Sequence, residues 1–242
     1  MHGDHIFGLP GLITSYNHYG RSAPLTIYGP PGIRDFIMTS LKYTGNPIAF
    51  PMDIIEFNPA SEQLLTEKDD LRIYTLPLVH RIPTAGFRLE SIEKEYHLIP
   101  EALEKYNIPI DVRKELKTGK DYIDPEGNII PNANFTTPPR QSWKYAYISD
   151  TAFVPEIVTK IRNYDLIYHE ATFHTLFSAK ARDTKHSTAA QAATIARNAG
   201  VKELIIGHFS SRYKDLNVLL LEAKALFPNT HLAIEGKSFD ID

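Results

Sequence analysis

The segment HGDH, residues 2–5, places His2, Asp4 and His5 at positions i, i+2 and i+3. Two imidazoles and a carboxylate so close together are a ligand set for a metal ion. Further along the chain His80, Asp150, His169 with Glu170, and His208 each fall where a predicted strand stops. The chain has no cysteine, so a metal here is held by nitrogen and oxygen donors, a combination that suits zinc. Two ions about 3.5–4 Å apart could share Asp150 as a bridging carboxylate. Zinc lowers the pKa of bound water to about 7, which makes hydrolysis the default chemistry of such a site. Each residue taken singly has a plainer reading. A strand-end histidine is commonly a hydrogen-bonded structural group, and Asp150, in SDTAFVPE, could cap a helix. His18, His97, His174 and His231 take the plainer reading. What argues for a site is the joint occurrence of HGDH with later ligands at strand ends.

The elements that must position these residues alternate along the chain. A turn and helix run from His5 to about Tyr19; PLTIYG (24–29) reads as a strand and GIRDFIMTSLKYT (32–44) as a helix. DLRIYTLPLVH (70–80) is a strand delivering His80, and TAGFRLE (84–90) its continuation or partner. KYAYISD (144–150) is a strand ending in Asp150, PEIVTKIRNY (155–164) a helix, and DLIYHEAT (165–172) a strand. STAAQAATIARNAG (187–200) is a helix with Ser187 as N-cap and Gly200 as its stop, and KELIIGH (202–208) a strand ending in His208. The class is α/β or α+β, a layered fold in which loops at one edge of a sheet bring distant residues together. From Ile92 to Ser142 prolines break short helical pieces, DPEGN supplies a turn, and the segment reads as an insertion or arm.

At 242 residues, 43% hydrophobic and 23% charged, the chain has the size of one domain with a substantial core. It carries no apolar stretch of the roughly 18 residues a membrane span needs and no signal-peptide pattern, so it is expected to be cytoplasmic and free of membrane. A net charge of −3 gives no general affinity for nucleic acid, although a local basic patch would still bind phosphates. In VRKELKTGK (112–120), Arg113, Lys114, Lys117 and Lys120 face a single acid, Glu115; alone, such a cluster is a solvated helix face.

HGDHIFGLPGL (2–12), LVHRIPTAGFR (78–88), ISDT (148–151), HEATF (169–173), HSTAAQAA (186–193) and GHFSSRY (207–213) together resemble the ribonuclease Z group, the tRNA 3′-processing endonucleases of the metallo-β-lactamase superfamily. HGDH alone points to the superfamily; HEAT, HST and HFSSRY together are specific to the group. The resemblance implies a metallo-β-lactamase-like αββα sandwich with an inserted arm over 92–142. It implies two zinc ions, one held by His2 and His80 with a further histidine just before Met1, the other by Asp4, His5 and His208, with Asp150 bridging. Asp4 would also be the general base. His186 would donate a proton to the leaving ribose 3′-oxygen, oriented by Glu170. Ser210, Ser211 and above all Arg212 would grip the scissile phosphate.

The arm would clamp precursor tRNA away from the cut, giving the Arg113–Lys120 stretch a purpose in positioning the RNA by its phosphates. The Gly-Pro element common in bacterial arms is not evident in NIPIDVRKELKTG. Members of the group act as homodimers in which one subunit's arm serves the other's site. The resemblance also implies several strands before the metal motif, so the chain reads as N-terminally incomplete, with the His2 and His80 metal weakly held. The expected activity is removal of the 3′ trailer from precursor tRNA, leaving a tRNA 3′-hydroxyl and a trailer 5′-phosphate. The alternatives are a small-substrate hydrolase of the superfamily, and an inactive RNA-binding remnant.

Overall fold

The computed structural model describes residues 1–242 except 44–46, 69, 93–94, 140 and 242. The chain enters through a one-turn helix α1 (Gly3–Ile6) and continues into α2 (Gly8–His18). Strand β1 (Leu25–Gly29) leads to α3 (Ile33–Lys42) and then β2 (Met52–Glu56), which pairs with β1 in parallel. The expected helix over 32–44 thus begins one residue later, and its last residue, Thr44, lies outside the described residues. Ile33, Ile37 and Leu41 recur at i, i+4 and i+8 and are buried, so one stripe of α3 packs with Ile13 of α2 and Ile54 of β2 in a first core.

Next come β3 (Leu64–Lys68), β4 (Leu71–Pro77) and β5 (Ala85–Ser91), an antiparallel meander. Strand β4 ends at Pro77, paired with Ala85 and three residues short of the expected end at His80; the Leu78 N–H still reaches the Thr84 carbonyl at 3.4 Å, and beyond it the chain turns back into β5. Residues 97–137 hold β6 (His97–Leu98), α4 (Pro100–Lys105), α5 (Ile110–Lys117), β7 (Tyr122–Ile123), β8 (Ile129–Ile130) and β9 (Thr136–Thr137). Strand β6 pairs with β9 and β7 with β8. These pieces gather around a small core of their own, formed by Leu103, Ile108, Leu116 and Phe135. Asn132 ties it together by donating its side-chain amide to the carbonyls of Leu116 and Lys120, both at 2.8 Å.

The remaining elements are β10 (Lys144–Ile148), β11 (Leu166–Glu170), α6 (Ser178–Thr184), α7 (Ala189–Ala199), β12 (Glu203–Gly207), α8 (Asn217–Lys224) and β13 (Thr230–Leu232). They complete a seven-stranded sheet in the order β13-β12-β11-β10-β5-β4-β3. From β10 to β13 the pairing is parallel, and from β10 to β3 antiparallel. Helix α7 buries Ala189, Ala192, Ala193, Ile195, Ala196 and Ala199; small side chains let it lie close to the sheet, and with α8 it covers the main core. Phe57, just past β2, meets Phe87 of β5 edge-on at 6.1 Å, so the layers run helix, sheet, sheet, helix.

Two local expectations are corrected. The helix over 155–164 is a 3₁₀ turn, Pro155–Thr159. Its apolar period still buries Ile157 and Ile161, but Asn163 turns left-handed with φ 57° and donates its N–H to the carbonyl of Ala199, ending the segment. The N-cap of α7 is Thr188, which accepts from the N–H of Gln191 while the Gln191 side chain accepts from the N–H of Thr188. Ser187 is buried instead and donates its hydroxyl to the carbonyl of Thr151. Gly200 stops α7 in the left-handed conformation, as its position indicates.

Candidate metal and acid–base centre

Asp150 follows β10 in the left-handed conformation, φ 52°, which aims its carboxylate back across the sheet edge. Its Oδ2 lies 3.0 Å from His5 Nε2 and 3.6 Å from His2 Nδ1, and its Oδ1 lies 3.0 Å from His208 Nε2. His208 likewise follows β12 at φ 58°. Backbone of this kind is costly for residues other than glycine and is retained where it aims a working side chain. His2 precedes α1 and His5 lies in it, so the two share a face at i, i+3. His80 stands against His2, ring centroids 5.0 Å apart.

Donor and acceptor counting fixes what these groups can hold. His80 Nδ1 donates to the carbonyl of Lys185 at 2.8 Å, a carbonyl that can only accept. Its Nε2 is therefore a bare lone pair, buried and without a partner among the described residues, and burial pushes the imidazole pKa down. A buried nitrogen lone pair beside His2 and Asp150 fits a cation, and His2, His80 and Asp150 can converge on one. The second group around Asp150 and His208 includes Glu170 and His186 by proximity. Glu170 is not a ligand there. Its Oε1 accepts from the Thr151 N–H at 2.5 Å and from His186 Nδ1 at 2.9 Å, and its Oε2 from the Thr172 hydroxyl at 2.7 Å and the Ser187 N–H at 3.0 Å. A carboxylate has about four acceptor positions, and all are in use. Burial opposes its charge, but the bonds from His186, Thr172 and Ser187 keep its pKa below the ordinary value. The Asp150 pKa is lowered chiefly by the hydrogen bond from His208, and that of His208 is raised by the same contact.

His186 is thus held at Nδ1 by a buried anion and stacks on His208 at 5.2 Å, with His80 at 4.9 Å on its other side. Its Nε2 is left to act on something bound between the rings. Asp4 is not brought into either group. Its carboxylate is exposed and lies 3.7 Å from His5 Nε2, because position 4 is rotated about 100° from the face shared by 2 and 5. His169 is also excluded: successive strand residues alternate in direction, so while Glu170 reaches the centre, His169 is fully buried with Nδ1 2.7 Å from the Glu170 carbonyl.

Beyond the centre, Arg212 is exposed and tethered by Nε to Ser210 Oγ at 3.2 Å. Its guanidinium lies over Phe177 at 4.4 Å and over Phe173 at 5.1 Å, and Phe173 in turn meets His186 at 6.2 Å. Ser211 is exposed beside it. Arg113, Lys114 and Lys117 lie on α5, with Lys120 just after it. Arg113 donates to the carbonyl of Ile108 at 3.1 Å, Lys117 pairs with Glu95 at 3.2 Å and Lys120 with Glu115 at 3.6 Å. Four participants were not among the candidate site residues: Thr172, Thr151 and Ser187 through their N–H groups, and Lys185 through its carbonyl. Thr172 stands inside HEAT and Ser187 inside HST, which is the one signal available.

No family profile matches the chain. Among curated proteins it is 43% identical over 242 residues to ribonuclease Z of Bacteroides thetaiotaomicron, covering 100% of this chain and 77% of that protein. It is 43% identical over 241 residues to ribonuclease Z of Porphyromonas gingivalis strain W83, covering 100% and 79%. Among solved structures, the short form of human tRNase Z superposes with a TM-score of 0.66 at 24% identity, covering 100% of this chain and 76% of that one. YhfI of Bacillus subtilis, described as a metallo-beta-lactamase fold protein, gives 0.63 at 17% identity, covering 99% and 74%. The motifs that carry the resemblance lie in the centre just described, the fold is that of the metallo-β-lactamases, and the chain belongs to the ribonuclease Z family.

Proposed function

We propose that this protein is a zinc-dependent endoribonuclease that removes the 3′ trailer from precursor tRNA, leaving a 3′-hydroxyl on the tRNA and a 5′-phosphate on the trailer. The observation that carries the reading is the adjacency of two kinds of machinery: a bare, buried His80 lone pair beside His2 and Asp150, and a His186 imidazole locked on a buried Glu170 anion. The first suits a metal and the second a proton donor, and cleavage of a phosphodiester with departure of an alkoxide needs both. One zinc would be held by His2, His80 and Asp150 and the other by His5, His208 and Asp150. When bound, the pair supplies Lewis-acid stabilisation of the phosphate and a water acidic enough to attack at neutral pH. His186, oriented through Nδ1 by Glu170, delivers a proton from Nε2 to the leaving ribose 3′-oxygen. Arg212, with Ser210 and Ser211 beside it, holds phosphate oxygens.

The segment over 92–142 is read as the arm that grips the tRNA, with Lys114, Lys117, Lys120 and Arg113 meeting phosphates, and the protein as a homodimer in which one subunit's arm serves the other's centre. The test is end analysis of the products from a precursor tRNA with a 3′ trailer, run beside hydrolysis of a small chromogenic phosphodiester. Lys114→Glu with Lys117→Glu should abolish most precursor cleavage and spare the small substrate, while His186→Ala should remove precursor cleavage outright. An untouched precursor, with brisk turnover of a small ester or lactam, would replace this reading with the small-substrate hydrolase. Light scattering decides the dimer.

A further inference from the structure

Thr172 touches both halves of the centre. Its Oγ1 lies 2.7 Å from Glu170 Oε2, 2.8 Å from His208 Nδ1, 2.9 Å from the His208 carbonyl oxygen and 3.4 Å from His186 Nδ1. A hydroxyl has one proton and two lone pairs. Of its four neighbours His186 Nδ1 is the farthest and already donates to Glu170 Oε1 at 2.9 Å, and two of the other three, the Glu170 carboxylate and the His208 carbonyl, can only accept. The single proton goes to the carboxylate, which is nearer and charged. His208 Nδ1 must then be the donor in the remaining contact. With its proton on Nδ1, His208 meets Asp150 Oδ1 through Nε2 at 3.0 Å. Without a metal Nε2 donates a second proton to that carboxylate, and it is this proton, on Nε2 and not on Nδ1, that a cation standing between the two would replace.

We infer that Thr172 is a positioning residue that fixes the tautomer of His208 for metal binding and, through the same hydroxyl, fastens Glu170 behind His186. The result is one hydrogen-bonded chain, His208 to Thr172 to Glu170, with His186 donating to Glu170 from the other side. Both imidazoles give up an Nδ1 proton toward one buried anion. The hydroxyl's place is set by backbone rather than by its own bonds: Ala171 N–H donates to the Gly207 carbonyl at 2.8 Å and Ser210 N–H to the Thr172 carbonyl at 3.2 Å. These bonds zip the loops after β11 and β12 together on either side of the threonine. A valine at this position keeps the shape and the zip and removes the hydroxyl, both the proton it gives to Glu170 and the lone pair it offers to His208.

The inference rests on the metal reading above, and the experiment separates the two. Side-chain ¹⁵N–¹H correlation spectra of the zinc-free wild-type chain should show His208 protonated at Nδ1. Thr172→Ser should keep that signal, and Thr172→Val should lose it or shift it to the other nitrogen. Competition with a chelating dye should give Thr172→Val a zinc affinity about 10–100-fold weaker at one of two sites, the usual effect of losing a residue that holds a ligand in place, and Thr172→Ser an affinity near that of wild type. A bare Nδ1 in the wild type overturns the inference without any variant. So does a Thr172→Val chain that keeps both the Nδ1 proton and its zinc affinity. Failure of the wild-type chain to bind zinc, with the Nδ1 proton present and dependent on the hydroxyl, would overturn the metal reading and leave the role of Thr172 standing.

Discussion

Replacing Glu170 by Gln changes one oxygen to an NH₂ and leaves shape and volume almost untouched, so it isolates the four-donor cage. Whichever way the amide turns, its NH₂ faces two groups that now donate. Facing the Oε1 side, it meets the Thr151 N–H and His186 Nδ1; facing the Oε2 side, it meets the Ser187 N–H and the Thr172 hydroxyl. The hydroxyl can turn its proton to the His208 carbonyl at 2.9 Å, so the second orientation costs less. The Ser187 N–H belongs to the backbone and cannot turn away. One buried N–H is left without an acceptor, at about 1–3 kcal/mol, and two bonds that were charge-assisted become neutral, at roughly 1 kcal/mol each. The sum is about 3–5 kcal/mol. For a chain of this length each kcal/mol moves Tm by about 2–4 °C, so the variant should melt roughly 6–20 °C lower. Because His186 loses its anion, cleavage of a small phosphodiester should fall by about 10²-fold or more, in kcat rather than KM. Calorimetry and initial rates on the same preparations suffice. A Glu170→Gln protein that melts within a degree or two of wild type would refute the cage, and would return Glu170 to an ordinary salt bridge with His186.

Other predictions bear on different parts of the molecule. Leu116→Ala opens a hole in the arm's small core and should cost about 2–5 kcal/mol locally; fast amide exchange should appear in 97–137, with precursor cleavage reduced and small-substrate hydrolysis retained. A Cβ on Gly86 would stand 2.5 Å from the Tyr147 carbonyl oxygen, whereas one on Gly8 meets nothing within 4 Å, so Gly86→Ala should lower Tm by an amount matching about 1–3 kcal/mol and Gly8→Ala should leave it unchanged or slightly higher. Glu62 accepts from Lys160 at 2.7 Å and from Arg88 at 2.5 Å, and the Lys160 hydrogen bond is the main cause of its lowered pKa. A lowered folded-state pKa gives stability that is present above the unfolded value and lost as pH falls through the folded one. The Tm gap between wild type and Glu62→Gln should therefore be open at about pH 6–7, begin to narrow near about pH 4.3, and close as pH falls through the lower folded-state value.

The centre was legible in the sequence to the extent that it is made of side chains at strand ends. His80, Asp150 and His208 sit in loops at one edge of the seven-stranded sheet, and Glu170 on the last residue of β11, because β4, β10, β11 and β12 deliver them there, and a period-2 reading of apolar runs is enough to see where each strand stops. It fails where the direction of a side chain depends on an exact register. His169 and Glu170 are adjacent letters, yet one is sealed in the fold and the other anchors the proton donor. Asp4 and His5 differ in the same way on the first turn of a helix. The short helix over 155–164 failed for a different reason: Ile157, Val158 and Ile161 have helical spacing, but the carbonyl of Ala199 draws the Asn163 N–H out of the helical ladder, a contact across 36 residues that no local pattern contains.

What the sequence conceals most thoroughly is the polar scaffold behind the ligands. Lys185 contributes a carbonyl, made available by a left-handed residue at the end of α6, φ 60°. Ser187 and Thr151 contribute N–H groups. None of these is a property of the side-chain letter, and any residue able to take up the backbone conformation would serve. Yet they decide the chemistry: the Lys185 carbonyl makes His80 Nε2 a lone pair, and two backbone N–H groups complete, with His186 and Thr172, the set of donors that holds the Glu170 anion although its own side chain has no water-exposed surface. Thr172 is the exception, recoverable by counting, since a hydroxyl that gives its one proton to the Glu170 carboxylate can meet the His208 imidazole only as an acceptor. The same counting explains why the loops must be zipped as they are. An imidazole is a metal ligand only through the nitrogen that its other partner leaves free, so placing the ligand letters at the sheet edge is necessary, and fastening the far side of each ring is what makes the placement useful.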